Sequence, residues 1–300
     1  MARRPQGVGL LLLDLDGTII RGGVEVSPRV AEALRRAHEA GIYLAVSTGR
    51  PLQMVPKAVK RLGVMDFYLC SNGAKAYDGS YGELCSHTMA HSDVRRLMDV
   101  FELLEPGWNV MSNGHAWIER SSISYLLGDA RVVRSRLRSR FPRNPREAVS
   151  FVRWAKNVMF GNPGRSVVRS IAPIVEENET FEKLGCSFAK EELCDEAVRR
   201  LEELGGFTAA RVLPLELEIT LQGVNKGALA DWLLDRLEMG RECSVAFGDS
   251  MNDAPLIGHV GRFVAMGNAC DELKGYADET CESLADDGVA RWIERVLDEA

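Results

Sequence analysis

Two carboxylates stand two positions apart in the stretch Leu10-Leu11-Leu12-Leu13-Asp14-Leu15-Asp16-Gly17-Thr18. An apolar strand that ends in two acids is costly unless something offsets them, because buried like charges repel. A divalent cation is the usual answer, so the pair reads as part of a metal site. A second apolar run, Ile42-Tyr43-Leu44-Ala45-Val46, ends in Ser47-Thr48-Gly49-Arg50, which offers hydroxyls and a glycine amide. A third, Cys243-Ser244-Val245-Ala246-Phe247, ends in Gly248-Asp249-Ser250-Met251-Asn252-Asp253. Between them Gly223-Val224-Asn225-Lys226-Gly227 sets a lysine at a helix start. Acids, a hydroxyl and a lysine on separate strand ends and helix starts are the parts of a phosphoryl-transfer site.

The elements that must carry these residues follow from the pattern. A short, wholly apolar run is a strand buried on both faces. Open α/β sheets place ligands at the C-terminal edge of such strands. Strand Leu10–Asp14 precedes a helix from about Ser27 to Ala40, with Ser27 as N-cap, Pro28 at the first helical position and Gly41 ending it. Strand Tyr43–Ser47 precedes a helix predicted to begin near Pro51, and Phe67–Cys70 is a third strand. This βαβαβ order implies a doubly wound, mostly parallel sheet. Lys75–Tyr77 and Glu83–His87 read as a hairpin. From about Thr88 to Leu221 the pattern changes to a mixed α+β module: two helices, a pair Trp108–Ser112 and His115–Glu119 joined by Asn113-Gly114, and later strands near Ser150–Phe160 and Leu215–Thr220. From Lys226 the alternation resumes. The expected fold class is therefore α/β: a core formed by residues 1–87 and 222–300, with residues 88–221 inserted as an α+β domain.

In their order, Asp14-Leu15-Asp16-Gly17-Thr18, Ser47-Thr48-Gly49-Arg50, Lys226 and Gly248-Asp249-Ser250-Met251-Asn252-Asp253 resemble the four motifs of the haloacid dehalogenase (HAD) superfamily. Ser71-Asn72-Gly73-Ala74, Leu217-Glu218-Ile219-Thr220, Ala265-Met266-Gly267-Asn268-Ala269 and Asp287-Gly288-Val289-Ala290 resemble features of its Cof-type phosphatases, which carry a large α/β cap between the second and third motifs. The resemblance covers about residues 8–90 and 215–296 and fades across the middle. It implies a Rossmann-like HAD core with a cap that closes over it, Mg²⁺ as cofactor, and hydrolysis of a small phosphomonoester through an aspartyl-phosphate. The partner is then a small phosphorylated metabolite such as a sugar phosphate, nucleotide or cofactor phosphate.

The resemblance also assigns roles. Asp14 is the expected nucleophile; the alternative is a metal ligand only, with water attacking directly. Asp16 is the expected general acid and then base, its pKa raised by the like charge of Asp14, with its backbone carbonyl on the metal; the alternative is a turn-holding Asp. Thr48 and the Gly49 amide are expected to bind phosphoryl oxygens, although Thr48 also fits a helix N-cap. Lys226 should neutralise phosphate charge and steady Asp14. Asp249 should be the third metal ligand beside Asp14 and Asp16, Asn252 should reach the phosphate or the nucleophile, and Asp253 should orient a water or Lys226. For the Asn-Asp pair an Asx-type turn is the plain alternative. Gly17 lets the chain leave the strand, and Thr18 bonds locally. Arg50, Asn72 and Gly73 are weaker candidates: Arg50 either fixes its loop or touches substrate, and Asn72-Gly73 is otherwise a plain turn. A mutase using the same nucleophile, and a non-catalytic binder of phosphometabolites or nucleic acid, are the competing functions.

Composition narrows these choices. Three hundred residues, 46% hydrophobic and 27% charged, suit a soluble protein of two domains. The formal charge of −6 weighs against a dedicated nucleic-acid binder. Seven cysteines without a C-x-x-C pair suggest free thiols and a cytoplasmic setting. Arg3 and Arg4 precede an apolar run, but Asp14 and Asp16 interrupt it too early for an export signal, and no segment is apolar and long enough to span a bilayer. Arg131, Arg134, Arg136, Arg138, Arg140, Arg143 and Arg146 crowd one segment. A solvated helix face is the default reading, and an electropositive cap that draws anionic esters is the alternative. Trp154 reads as core or, with Lys156, as facing the substrate. No pattern specifies an oligomeric state.

Overall fold

A computed structural model describes residues 7–128 and 164–299. The expected strand at Ser150–Phe160, Trp154, Lys156 and the Arg131–Arg146 stretch lie outside the described residues. The chain divides into two compact units, one formed by Met1–Arg50, Val55–Ser86 and Asn225–Ala300, the other by Pro51–Met54 and His87–Val224.

The first unit is built on β1 (Leu10–Leu13), β2 (Tyr43–Ser47), β3 (Phe67–Cys70), β4 (Lys75–Asp78) and β5 (Glu83–Ser86), with β14 (Ser244–Gly248), β15 (Arg262–Ala265) and β16 (Glu279–Thr280) from the C-terminal part. These eight strands form one sheet in the order β16-β15-β14-β1-β2-β3-β4-β5. All neighbours pair in parallel except the hairpin β3-β4-β5. β1 is central, and its four leucines are wholly buried, as a run without polar alternation requires. Strand order proceeds from β1 to β2 on one side and jumps to β14 on the other. The reversal lies between β1 and β14, the place where doubly wound sheets open a ligand crevice.

Helix α1 (Pro28–Glu39) begins as its sequence predicts: Ser27 Oγ accepts from Val30 N at 3.1 Å, and Pro28 occupies the first turn. Its buried face, Val30, Leu34 and Ala37, repeats at helical spacing. The helix expected near Pro51 is reduced to a 3₁₀ turn, Leu52–Met54, and a single turn, Lys57–Lys60. Pro56 explains the break, since a proline disfavours helical geometry in the residue before it.

The second unit holds a six-stranded sheet in the order β12-β13-β11-β7-β8-β9, made from β7 (Gly107–Ser112), β8 (His115–Glu119), β9 (Arg165–Val168), β11 (Lys183–Ser187), β12 (Phe207–Leu213) and β13 (Glu216–Leu221). Two further short strands, β6 (Met89–Ala90) and β10 (Thr180–Phe181), pair with each other. Helices α2 (His91–Phe101), α3 (Arg120–Gly128), α4 (Ala172–Glu177) and α5 (Glu191–Leu204) complete its described part. One sheet face supplies Val110, Leu184, Cys186, Leu217 and Ile219 to a core shared with Leu97, Phe101, Ala197 and Leu201. Asn113 and Gly114 turn β7 into β8 with φ of 50° and 75°, the left-handed pair a tight hairpin needs. The architecture is an α/β core with an inserted α+β domain.

Candidate active site

Three chemistry-bearing loops of the first unit leave the C-terminal ends of central strands, and the lysine comes from a helix start. Asp14 follows β1 and still joins the ladder, its N–H donating to Phe247 O at 3.1 Å. Thr48 follows β2, Asp249 follows β14, and Lys226 opens α6 (Lys226–Arg236), whose cap is the Asn225 side chain accepting from Ala228 N at 2.9 Å. Because β1, β2 and β14 are adjacent, residues more than 200 positions apart meet.

Lys226 Nζ donates to Asp14 Oδ1 at 2.8 Å and to Asp253 Oδ1 at 2.6 Å. The lysine is 1% exposed, and Asp253 is fully buried. Burial pulls the lysine toward neutrality, but Asp14 and Asp253 outweigh it and hold its pKa above the usual value. Asp14 is pushed the other way. Burial raises its carboxyl well above the ordinary range; Lys226 opposes this, while Asp253 and Asp249 add to it. Asp249 is raised to about 7, by burial first and then by Asp253, against the pull of Lys226.

Asp253 spends its other oxygen on the backbone. Oδ2 accepts from Asp249 N at 3.0 Å and from Ser250 N at 3.2 Å, which fixes the turn carrying Asp249. These bonds run back to earlier residues, as in the return half of a capping box, so they are not the Asx-type turn the sequence offered, and they coexist with the contact to Lys226. Asn252 accepts from Ser250 Oγ at 2.6 Å through its side-chain oxygen.

Among the described residues, Asp14, Asp249 and Asp253 each offer a carboxylate oxygen within 4.8 Å of the others. Asp253 has both oxygens engaged, so Asp14 and Asp249 are the carboxylates left for a cation. Asp14 commits Oδ1 to Lys226 and keeps Oδ2. Two burdened carboxylates and nearby backbone carbonyls are hard oxygen donors, the type that suits Mg²⁺. The approach of Asp249 to Gly17 supports the same fit. Gly17 has φ +86°, and a Cβ there would lie 1.9 Å from Asp249 Oδ2. The carboxylate lies against the Gly17 backbone, in space only glycine leaves open.

Asp16 differs from the simplest sequence picture. Its side chain is outside the acidic cluster and faces Arg50, whose Nε donates to Oδ2 and Nη2 to Oδ1, both at 2.6 Å. Arg50 Nη2 also donates to Gly23 O at 3.2 Å. The spacing of Asp14 and Asp16 gives no sign of this cation, because it does not encode the direction of a long side chain.

Thr48 is buried, and its Oγ1 accepts from Arg50 N at 3.2 Å, so it shapes the loop of which Gly49 is part. Asn72 and Gly73 lie beside that loop. Asn72 N donates to Thr48 O at 3.1 Å, a Cβ on Gly49 would meet Asn72 Oδ1 at 2.8 Å, and a Cβ on Gly73 would lie 2.2 Å from Asn225 O. Asn72 and Gly73 therefore pack between the Thr48 loop and the residue that caps α6.

One residue of this site has no role in the sequence reading. Asn268 Nδ2 donates to Gly17 O at 2.9 Å and lies 3.5 Å from Asp249 Oδ2. The stretch Ala265–Ala269 stood out only as a family feature. Its position after β15, next to β14, was the available signal.

The geometry has counterparts. A family model described as haloacid dehalogenase-like hydrolase matches residues 11–293. The phosphatase YwpJ of Bacillus subtilis (strain 168) is 29% identical over 292 residues, covering 96% of this chain and 99% of that protein. A 5-amino-6-(5-phospho-D-ribitylamino)uracil phosphatase of the same organism, YcsE, is 24% identical over 97% of this chain and 96% of that protein. A haloacid dehalogenase-like hydrolase structure from B. subtilis superposes with a TM-score of 0.79 at 23% identity, over 96% of this chain and 99% of that one. Four loops in the expected order meet at one sheet edge, and the family model spans both ends of the chain and the insertion between them: the protein belongs to the haloacid dehalogenase-like hydrolases.

Proposed function

We propose that this chain is a Mg²⁺-dependent phosphatase that hydrolyses a small phosphomonoester through an aspartyl-phosphate on Asp14. The observation that carries the reading is the buried Lys226 amine spanning Asp14 Oδ1 and Asp253 Oδ1. A buried lysine tethered by a second carboxylate holds Asp14 by one oxygen and presents the other.

In the first half-reaction one Asp14 carboxylate oxygen attacks phosphorus while the other stays free for the cation, the phosphorus–oxygen bond to the leaving group breaks, and the departing alkoxide takes a proton from Asp16. In the second, Asp16 takes a proton from water, whose oxygen attacks the same phosphorus. The Asp14–phosphorus bond breaks, and inorganic phosphate and the Asp14 carboxylate are released. Asp14, Asp249 and the Asp16 backbone carbonyl would hold Mg²⁺, which supplies neutralisation of the charge shared by nucleophile and phosphate. Lys226 adds a fixed positive charge beside the reacting oxygen, and the Thr48 hydroxyl with the Gly49 amide hydrogen-bonds phosphoryl oxygens. Substrates are small phosphorylated metabolites, the class to which the ester in the name of the B. subtilis relative YcsE belongs. Seven cysteines, none in a disulfide, fit a cytoplasmic setting.

The test is a panel of phosphorylated metabolites with Mg²⁺, scored by kcat/KM for release of inorganic phosphate. One phosphate per substrate consumed, with no bisphosphate activator, is expected. An isomeric sugar phosphate that accumulates only when a bisphosphate is added would make the protein a mutase. Asp14→Asn should lose at least about 10³-fold in kcat while keeping its fold. Near-wild-type turnover by that variant would end the aspartyl-phosphate reading.

A further inference from the structure

We infer that Asn268 is a positioning residue for the metal site: one side-chain amide ties the backbone at Gly17, directly after the Asp16 carbonyl, to the Asp249 carboxylate. The inference rests on the metal site of the proposed function.

The orientation of the amide follows from its partners. Leu284 N–H can only donate, and it reaches Asn268 Oδ1 at 2.7 Å. The NH₂ end must then face the other way, where Nδ2 donates to Gly17 O at 2.9 Å. The same nitrogen lies 3.5 Å from Asp249 Oδ2, the oxygen that occupies the space of a Gly17 side chain. The loops that follow β1 and β14 bring two acceptor oxygens together here, and this nitrogen is the donor both face.

The other end of the amide is also tied down. Arg21 Nη2 donates to Leu284 O at 3.0 Å, to Ala285 O at 3.0 Å and to Asp287 Oδ1 at 2.7 Å. Ser27 Oγ donates to the same Asp287 oxygen at 2.6 Å. Residues 284–287 thus grip both ends of the segment from Arg21 to Ser27, a few residues beyond Gly17. Asn268 is solvent-exposed, yet it joins three segments that all touch the acid cluster or its flank. Groups that orient ligating oxygens typically change metal affinity by about 10- to 100-fold when removed. Direct ligation does not fit, because the only lone pairs on the side chain face Leu284.

Calorimetric titration with Mg²⁺ of the full chain, without substrate, tests this. Asn268→Ala should bind Mg²⁺ about 10- to 100-fold more weakly than wild type. Asn268→Asp should lose at least as much, since a carboxylate has no hydrogen for Gly17 O and meets Asp249 with like charge. Both variants should melt within a few degrees of wild type without metal. Their kcat at saturating Mg²⁺ should recover, while the half-saturating Mg²⁺ concentration for hydrolysis rises. Wild-type affinity in Asn268→Ala overturns the inference alone. Tighter binding by Asn268→Asp overturns it in favour of direct ligation, and loss of the fold in both variants overturns it in favour of a scaffold role. A wild-type protein that binds no Mg²⁺ overturns it together with the metal site of the proposed function.

Discussion

Arg50 holds both carboxylate oxygens of Asp16, through Nε and Nη2, each at 2.6 Å. A guanidinium fork has no acceptor, so an Asp16 oxygen that carries a proton toward a leaving group must turn out of the fork. Arg50 and Asp16 should therefore act as a unit. Asp16→Ala should slow alkyl phosphates by about 10²- to 10⁴-fold and p-nitrophenyl phosphate far less, because nitrophenolate leaves without a proton. Arg50→Ala should show the same leaving-group bias in milder form, and the double variant should be no worse than Asp16→Ala. Strict additivity of the two losses on alkyl phosphates would separate the residues.

Lys226 and Asp253 form the second linked pair. Removing one partner of a buried ion pair leaves the other uncompensated, at a cost of about 3–5 kcal/mol. Asp253→Ala leaves Lys226 with Asp14 as its remaining partner, so it should lose less than that in denaturant unfolding, but it should disorder the Asp249 turn, so Mg²⁺ affinity falls with it. Lys226→Ala should lose about 10²- to 10³-fold in kcat, the cost of one preorganised charge at a reacting oxygen. A stable, fully active Asp253→Ala would mean that the pair is dispensable.

The raised carboxyls make metal binding and pH interdependent. Asp14 lies well above the ordinary carboxylate range and Asp249 at about 7, both chiefly through burial. Between about pH 4 and pH 7 the metal-free fold therefore binds more protons than the unfolded chain, and these groups lower its stability as pH rises. Mg²⁺ requires the ionised forms, so its binding must expel protons. Titration at pH 6 in buffers of different ionisation enthalpy should show release of about one proton or more per ion, and Asp249's share should vanish by about pH 9. Identical heats in all buffers at pH 6 would show that the site is already ionised.

Gly17 admits no side chain. At φ +86° and with Asp249 Oδ2 only 1.9 Å from a built Cβ, Gly17→Ala must displace the carboxylate or the loop. The expected outcome is weakened Mg²⁺ binding and loss of hydrolysis, with the strand core intact by circular dichroism. Wild-type metal affinity in this variant would show that the loop can relax freely.

Much of this arrangement was legible in the sequence because short apolar runs can only be buried strands. The runs ending in Asp14, Ser47 and Gly248 give three central strands, and a parallel sheet brings their ends to one edge. The nearness of Asp14 to Asp249, and of the loop that starts at Thr48 to both, follows from that. Direction and partner of long or exposed side chains do not follow. The bonds of Arg50 to Asp16 and of Asn268 to Gly17 depend on rotamers and on loops whose course no periodicity encodes. The truncated helix after Pro51 was misread because the opening Pro51 resembles a first-turn proline while Pro56 cancels it. In the insertion, Asn113-Gly114 fixed one hairpin, but pairings such as Lys183 with Glu218, 2.6 Å apart across β11 and β13, join segments that no local signal connects.

The pairing of β1 has a consequence for biosynthesis. Its four leucines hydrogen-bond to β2 on one side and to β14 on the other, in the register Leu10 to Ser244. During translation β2 emerges early, but β14 follows only after the whole insertion has been made. At about 5–20 residues per second the ribosome needs roughly 10–40 seconds to reach it. For that interval the most apolar strand of the nascent chain carries an open edge. The same connectivity that brings Lys226 to Asp14 leaves that edge of β1 without its partner until the last fifth of the polypeptide arrives.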